Sequence, residues 1–307
     1  MNKDSKILVL GSRGLVGSAL VRELKGQGFE NILTPVREEL DLLRQVQVES
    51  YFEKNKPDFV FMAAAKVGGI HANDTYRADF IYENLTIQNN VFGAAHKFTP
   101  RRLLFLGSNC IYPKNCPQPL KEKYLLAGEL EPTNEPYAIA KIAGLKMAQA
   151  MRAQYGHDFI SVIPTNLYGP NDNFHPENSH VIPGLITRMT EAKKNNDAIF
   201  KAWGSGNPRR EFLYVDDMAK ACIHVMNYAG DDLPDWMNIG TGEDISIKEL
   251  VYMIKETVGF EGEIEFDTSK PDGTMKKLLD VSKIEALGWR SSVGLEEGMG
   301  EKVFRLL

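Results

Sequence analysis

Along the first half of the chain, short apolar runs alternate with stretches of helical period. Ile7-Leu8-Val9-Leu10 is unbroken by polar residues and stops at a glycine, which predicts a buried strand. Leu15, Val16, Ala19, Leu20 and Leu24 then recur at helical spacing. The same alternation predicts strands at 31–34, 59–63, 103–106 and 159–163, with helices at 43–54, about 76–98 and 137–155. A βαβ succession of this kind closes into a parallel sheet covered on both faces by helices. The expected fold class is therefore α/β, a Rossmann-like doubly wound sheet with its crevice at the carboxyl ends of the strands, where Gly11, Ala63 and Ser108 all fall.

Past Asn166 the alternation loosens. Residues 169–178 carry two prolines and read as a loop leaving the sheet. Residues 180–191 read as a helix, 212–215 and 216–228 as a strand and helix returning to the sheet, and 246–258 as a helix. That last helix opens on Ser246 with Glu249 three positions on, a capping box. We expect a dinucleotide-binding domain over 1–168 with a return segment at 212–240. A smaller substrate-binding lobe is expected from 169–211 and 241–307.

Composition narrows the class. A formal charge of −5 offers no basic face for nucleic acid. No apolar run approaches the roughly 20 residues a membrane span needs. The first residues lack a signal peptide's apolar core. The three cysteines, Cys110, Cys116 and Cys222, form no metal-ligand array, and an odd count without a secretory signal suggests reduced thiols. We expect a cytoplasmic protein without a bound metal, and no Cys110–Cys116 disulfide.

Gly11-Ser12-Arg13-Gly14-Leu15-Val16-Gly17 follows the first strand and opens the first helix. Glycines at this spacing permit a tight turn, close approach to a pyrophosphate and tight helix–sheet packing. The helix start then turns free N–H groups toward the phosphates. At the end of the second strand, Leu33-Thr34-Pro35-Val36-Arg37 has no acid for a ribose hydroxyl. Arg37 and Arg13 can instead bracket a 2′-phosphate, which predicts NADP(H), with Asp41 and Leu42 near the adenine.

A second motif lies about a hundred residues on. Tyr137 and Lys141 stand one helical turn apart, and Ser108 ends the fourth strand. Tyrosine titrates near 10, so a neighbouring ammonium is expected to favour its phenolate. Ser108 can hydrogen-bond a substrate carbonyl. Cys110 and His180 read, from spacing alone, as an ordinary buried thiol and an ordinary histidine.

Several longer segments are recognisable. They are Ala63-Ala64-Ala65-Lys66-Val67-Gly68-Gly69-Ile70, Glu131-Pro132-Thr133-Asn134-Glu135-Pro136-Tyr137, Pro164-Thr165-Asn166-Leu167-Tyr168-Gly169-Pro170, Asp172-Asn173-Phe174-His175-Pro176 and Lys270-Pro271-Asp272-Gly273-Thr274. Over nearly its whole length the chain resembles the GDP-L-fucose synthase family, the 3,5-epimerase/4-reductases among the extended short-chain dehydrogenases. The resemblance implies a reductase trio of Ser108, Tyr137 and Lys141, and an epimerisation acid/base pair of Cys110 and His180. It implies that Arg188, Trp203, Arg210, Asp272 and Lys277, with Ser108 and Asn166, contact GDP-4-keto-6-deoxy-D-mannose. The expected cofactor set is the glycine loop, Arg37, Asp41, Leu42, Ala63, Ala64, Lys141, Pro164, Asn166, Leu167 and His180. A homodimer is implied as well, with the two long helices as plausible surfaces or, equally, as mere sheet cover. The chain departs from the family at Ser108-Asn109-Cys110, where a second serine is usual, and at Met275-Lys276. Two other readings stay open: a UDP-sugar 4-epimerase holding NAD tightly, and a non-catalytic NADP-binding regulator.

Overall fold

The computed structural model describes residues 1–175, 179–270 and 272–300. Pro176, Pro271 and the expected end of the second lobe at 301–307 lie outside them. The first half contains strands β1 (Ile7–Leu10), β2 (Ile32–Leu33), β3 (Phe59–Met62), β4 (Arg102–Leu106) and β5 (Phe159–Pro164). Between them run helices α1 (Leu15–Gly26), α2 (Gln45–Asn55), α3 (Ile70–Thr75), α4 (Arg77–Phe98) and α5 (Glu135–Tyr155). Next come β6 (Asn166–Tyr168), α6 (Val181–Asn195), β7 (Ile199–Trp203), β8 (Arg209–Arg210) and β9 (Phe212–Tyr214). The described chain ends with α7 (Val215–Asn227), β10 (Trp236–Ile239), β11 (Ile245–Ser246), α8 (Ile247–Val258), β12 (Glu263–Asp267), β13 (Lys276–Lys277), α9 (Ser282–Ala286) and α10 (Leu295–Gly300).

One six-stranded parallel sheet, ordered β10-β5-β4-β3-β1-β2, carries the structure. Strands β1, β3, β5 and β10 are buried on both faces, as a parallel sheet requires, and the edge strand β2 is only partly buried. α1 and α7 cover one face, packing Leu20, Leu24, Met218 and Cys222 against Val9 and Phe61. α2, α4 and α5 cover the other with Phe52, Phe92 and Leu145. The strand order reverses between β1 and β3, and ligands of open α/β sheets bind at such a point. A third core gathers Ile182, Ile186 and Met189 of α6 with Leu250 and Ile254 of α8, under the small β7–β12 ladder.

The departures have local causes. β10 went unseen because Asn238 interrupts its apolar run. Its buried amide donates to Leu120 O at 2.9 Å and Asp280 O at 3.1 Å, and its oxygen accepts from the Tyr112 hydroxyl at 2.6 Å. The strand expected at 212–215 forms as β9 but pairs with β6, outside the main sheet; only α7 and β10 return to it. The expected second lobe also gives a segment back: Ile284, Leu287 and Trp289 pack into the same core as α1 and α7. α8 does open on the capping box of Ser246 and Glu249.

Candidate active site

At the carboxyl ends of the sheet a cavity of about 1640 Å³ runs between the sheet and the α6–α8 core. Every site residue named from the sequence lines it. One end is built by the glycine loop. Gly11 takes φ +81°, and a Cβ there would press on the Ala64 backbone at 2.7 Å, because the tips of β1 and β3 nearly touch. A Cβ on Gly17 would collide with the Gly11 carbonyl oxygen. α1 starts with no side-chain cap and no acid in its first turn, so its leading N–H groups stay open to an anion. Beyond β2, Arg37 is mostly exposed, 4.0 Å from Asp41, and Arg13 has no ion pair among the described residues. No acid stands at the β2 tip. These features fit a dinucleotide carrying a 2′-phosphate.

The middle of the cavity holds the reactive groups. β4 ends at Ser108, whose hydroxyl caps a short 3₁₀ turn by accepting from Cys110 N at 3.4 Å. α5 starts at Glu135, two residues before the expected position, because Pro136 suits a first turn; Tyr137 therefore sits at the helix entrance. Its ring meets Phe80 edge-on at 6.1 Å. One turn on, Lys141 is buried and donates to Leu106 O at 2.8 Å, with its ammonium 5.8 Å from the Tyr137 ring centre.

Burial dominates this wall. It pushes the Tyr137 hydroxyl well above its ordinary value; the Cys110 thiol adds to that, and the Ser108 hydroxyl only partly offsets it. Burial pushes Lys141 down to about 8, against the nearby Cys110 thiol. Burial thus holds the Tyr137 phenol in its protonated form. Burial also raises Cys110, while Ser108 and then the Lys277 and Lys141 ammoniums pull it back. All three cysteines are free thiols.

His180 is the N-cap residue of α6 and half exposed, with Nδ1 3.6 Å from an Asp172 carboxylate oxygen. The Asp172 side chain is buried, and its other oxygen has no partner. No role was read for Asp172 in the sequence, because only the fold reveals which histidine it faces. Asn109 was noticed as a departure. Its amide nitrogen is buried on the cavity wall without a partner, ready to donate to a ligand.

The far end is cationic. Arg188, one face of α6, lies 4.5 Å from the exposed Trp203 ring and 5.4 Å from Phe200. Arg210 of β8 and Lys277 of β13 are register neighbours in a three-stranded ladder. Burial lowers the proton affinity of Arg188, Arg210 and Lys277, so each is a partly desolvated cation. Asp272 uses both carboxylate oxygens on Ser205, at 2.9 Å to its N–H and 2.6 Å to its hydroxyl, and so secures the 204–206 turn. Asn166 donates to Glu211 O at 2.8 Å, which ties the sheet edge to this end.

Residues 7–240 match the NAD dependent epimerase/dehydratase family. The chain is 56% identical over 301 residues to GDP-L-fucose synthase 1 of Arabidopsis thaliana, covering 98% of this chain and 92% of that protein. It is 52% identical to GDP-L-fucose synthase of Escherichia coli K12, over 96% of this chain and 94% of that protein. Among solved structures, a GDP-L-fucose synthetase from Naegleria fowleri bound to NADP superposes with a TM-score of 0.90 at 31% identity, over 99% and 93% of the two chains. By these identities and by the family match, the chain belongs to the NAD dependent epimerase/dehydratase family and, within it, to the GDP-L-fucose synthases.

Proposed function

We propose that this chain converts GDP-4-keto-6-deoxy-D-mannose to GDP-L-fucose, inverting C3 and C5 and then reducing the C4 ketone. The observation that carries the reading is one cavity lined by a Ser108–Tyr137–Lys141 row, by a thiol and an imidazole from different parts of the fold, and by three half-buried cations.

The C4 ketone acidifies the protons on C3 and C5, because either carbanion delocalises onto O4. Ser108 and Tyr137 hydrogen-bond O4 and stabilise the enolate. Cys110 enters as its thiolate, a form that burial opposes and that the Ser108 hydroxyl and the Lys277 and Lys141 ammoniums favour, and takes a proton from one face of the sugar. His180, reaching in from the start of α6, returns one on the other. Asp172 holds the imidazole in place and balances its charge. After both inversions Tyr137, kept protonated by burial, gives its proton to O4. NADPH, held by the glycine loop, Arg13 and Arg37, supplies hydride to C4 when bound. Arg188, Arg210 and Lys277 hold the diphosphate, and Trp203 offers its ring to the guanine.

A homodimer and a cytoplasmic location complete the reading. The outer faces of α4 and α5 carry exposed Tyr82 and Ile139, and Gly93 has open space where a Cβ would stand, so a second helix can approach closely. A free Cys110 thiol suits a reducing compartment.

The test is to supply GDP-4-keto-6-deoxy-D-mannose and NADPH in deuterated water. The expected product is GDP-L-fucose labelled at C3 and C5. Label at neither carbon, or interconversion of a UDP-sugar without net NADPH oxidation, would overturn the reading.

A further inference from the structure

Glu211 lies between β8 and β9 with no exposed surface. A carboxylate so buried is costly unless fully hydrogen-bonded. One of its oxygens accepts from Thr241 N at 2.6 Å and Gly242 N at 2.8 Å, and the other from Leu279 N at 2.9 Å. Its backbone carbonyl accepts from Asn166 at 2.8 Å and Thr165 at 3.2 Å. Burial raises the carboxyl's pKa, and the amides of Leu279 and Gly242 lead the groups that restrain it. Gly240 is required beside it, since a Cβ there would collide with the carboxylate.

Four chain segments meet at this residue: the end of β5 with the start of β6, the β8–β9 link, the turn after β10, and the segment that follows β13. Arg210 precedes Glu211 directly, and Lys277 stands two residues before Leu279. We infer that Glu211 is a positioning residue, a clamp whose bonds to the 241–242 turn and to Leu279 set Arg210 and Lys277 at the distance a nucleotide diphosphate needs from the sheet edge. The inference rests on the assignment of those two cations to the nucleotide-sugar.

Glu211→Gln leaves one oxygen for Thr241 and Gly242 but turns an amide toward Leu279 N, donor against donor, so the strand carrying Lys277 loosens. Gly240→Ala displaces the carboxylate without removing it. Asp217→Asn is the control. Asp217 is an equally buried carboxylate that accepts from Ser292 N at 2.6 Å and Val293 N at 2.8 Å, and it does not line the cavity.

The measurements are thermal midpoint, NADPH affinity, steady-state kinetics with the keto-sugar nucleotide, and GDP affinity by calorimetry. For Glu211→Gln and Gly240→Ala we expect KM and the GDP Kd to rise about tenfold, with kcat within about threefold and NADPH affinity unchanged. Asp217→Asn should lower the midpoint with KM unchanged. A folded Glu211→Gln protein with wild-type KM and GDP Kd would overturn the clamp. So would an equal KM rise in Asp217→Asn, which would make the effect one of stability alone. If Glu211→Gln fails to fold, Gly240→Ala decides by the same numbers. Wild-type protein that binds GDP without turning over the keto-sugar would instead refute the assigned reaction, and the GDP affinities would still judge the clamp.

Discussion

The two walls of the cavity are built on opposite plans. The sheet wall is made of contiguous motifs at strand ends, and its reactive groups are buried and mostly neutral: a phenol and a thiol pushed up, an ammonium pushed down to about 8. The α6–α8 wall presents Arg188, Arg210 and Lys277, brought together from one helix and two strands of two residues each. On the proposed mechanism, burial on the first wall prepares the proton donor for O4, and on the second it prepares cations for a diphosphate. Reduction then belongs to the sheet wall and capture to the other, with His180 at the start of α6 the one reacting group that comes from the capture side.

The largest expected effect tests the sheet wall. On the proposed mechanism Tyr137→Phe removes the proton donor for O4 and one of the two hydrogen bonds to the enolate oxygen, while its ring keeps the edge contact with Phe80. General acid catalysis is worth about 10²–10⁴-fold, so kcat for ketone reduction should fall by roughly a thousandfold with KM little changed. Stopped-flow NADPH oxidation with pre-epimerised keto-sugar reads this directly. A drop confined to KM would erase the division.

Arg210→Met is the matching test of the other wall. A charge-assisted contact of the proposed kind is worth about 1.5–3 kcal/mol, so KM for the nucleotide-sugar should rise roughly tenfold to a hundredfold while kcat holds. Initial rates across substrate concentrations would show it. A fall in kcat at saturation with unchanged KM would place Arg210 in the chemistry and break the comparison.

The walls also differ in how much of them can be read without a structure. The glycine loop and the Tyr137/Lys141 pair are local: each needs only a strand end, a helix start or a one-turn spacing. β8 and β13 are too short to show periodicity, so nothing in the chain's pattern pairs Arg210 with Lys277. Only resemblance placed them in the site. Asp172 and Glu211 were invisible for the same reason, since their partners lie on segments that meet only in the fold. The burial of Lys141 was likewise illegible, because proximity in sequence says nothing of the desolvation around a side chain.

That desolvation yields a stability prediction. Lys141 is pushed from an ordinary value near 10.5 down to about 8 in the folded protein, so the unfolded chain holds its proton more tightly. The penalty is fully present below pH 8 and is relieved as pH rises through about 8 toward 10.5, and it amounts to about 3 kcal/mol. Lys141→Met removes it and forfeits the bond to Leu106 O, worth about 1 kcal/mol. The cofactor-free variant should therefore be about 2 kcal/mol more stable at pH 7, while losing reduction. Above pH 10.5 the order should reverse. Urea titrations at the two pH values test this; a variant less stable at pH 7 would mean the ammonium is well solvated.

The smallest effect concerns base selection at the capture wall. The Trp203 ring is 53% exposed, and the Arg188 guanidinium lies 4.5 Å from its centre. The exposed indole can take a base by stacking, and such contacts contribute about 1 kcal/mol. Trp203→Ala should thus raise KM only about fivefold. Stacking scales with ring area, so guanine should lose more than uracil, and the ratio of GDP to UDP inhibition constants should narrow in the variant. Trp203→Phe should restore part of it. A GDP preference undiminished in Trp203→Ala would mean that the base is chosen by hydrogen bonds to its edge, and this aromatic would then serve Arg188 rather than the nucleotide.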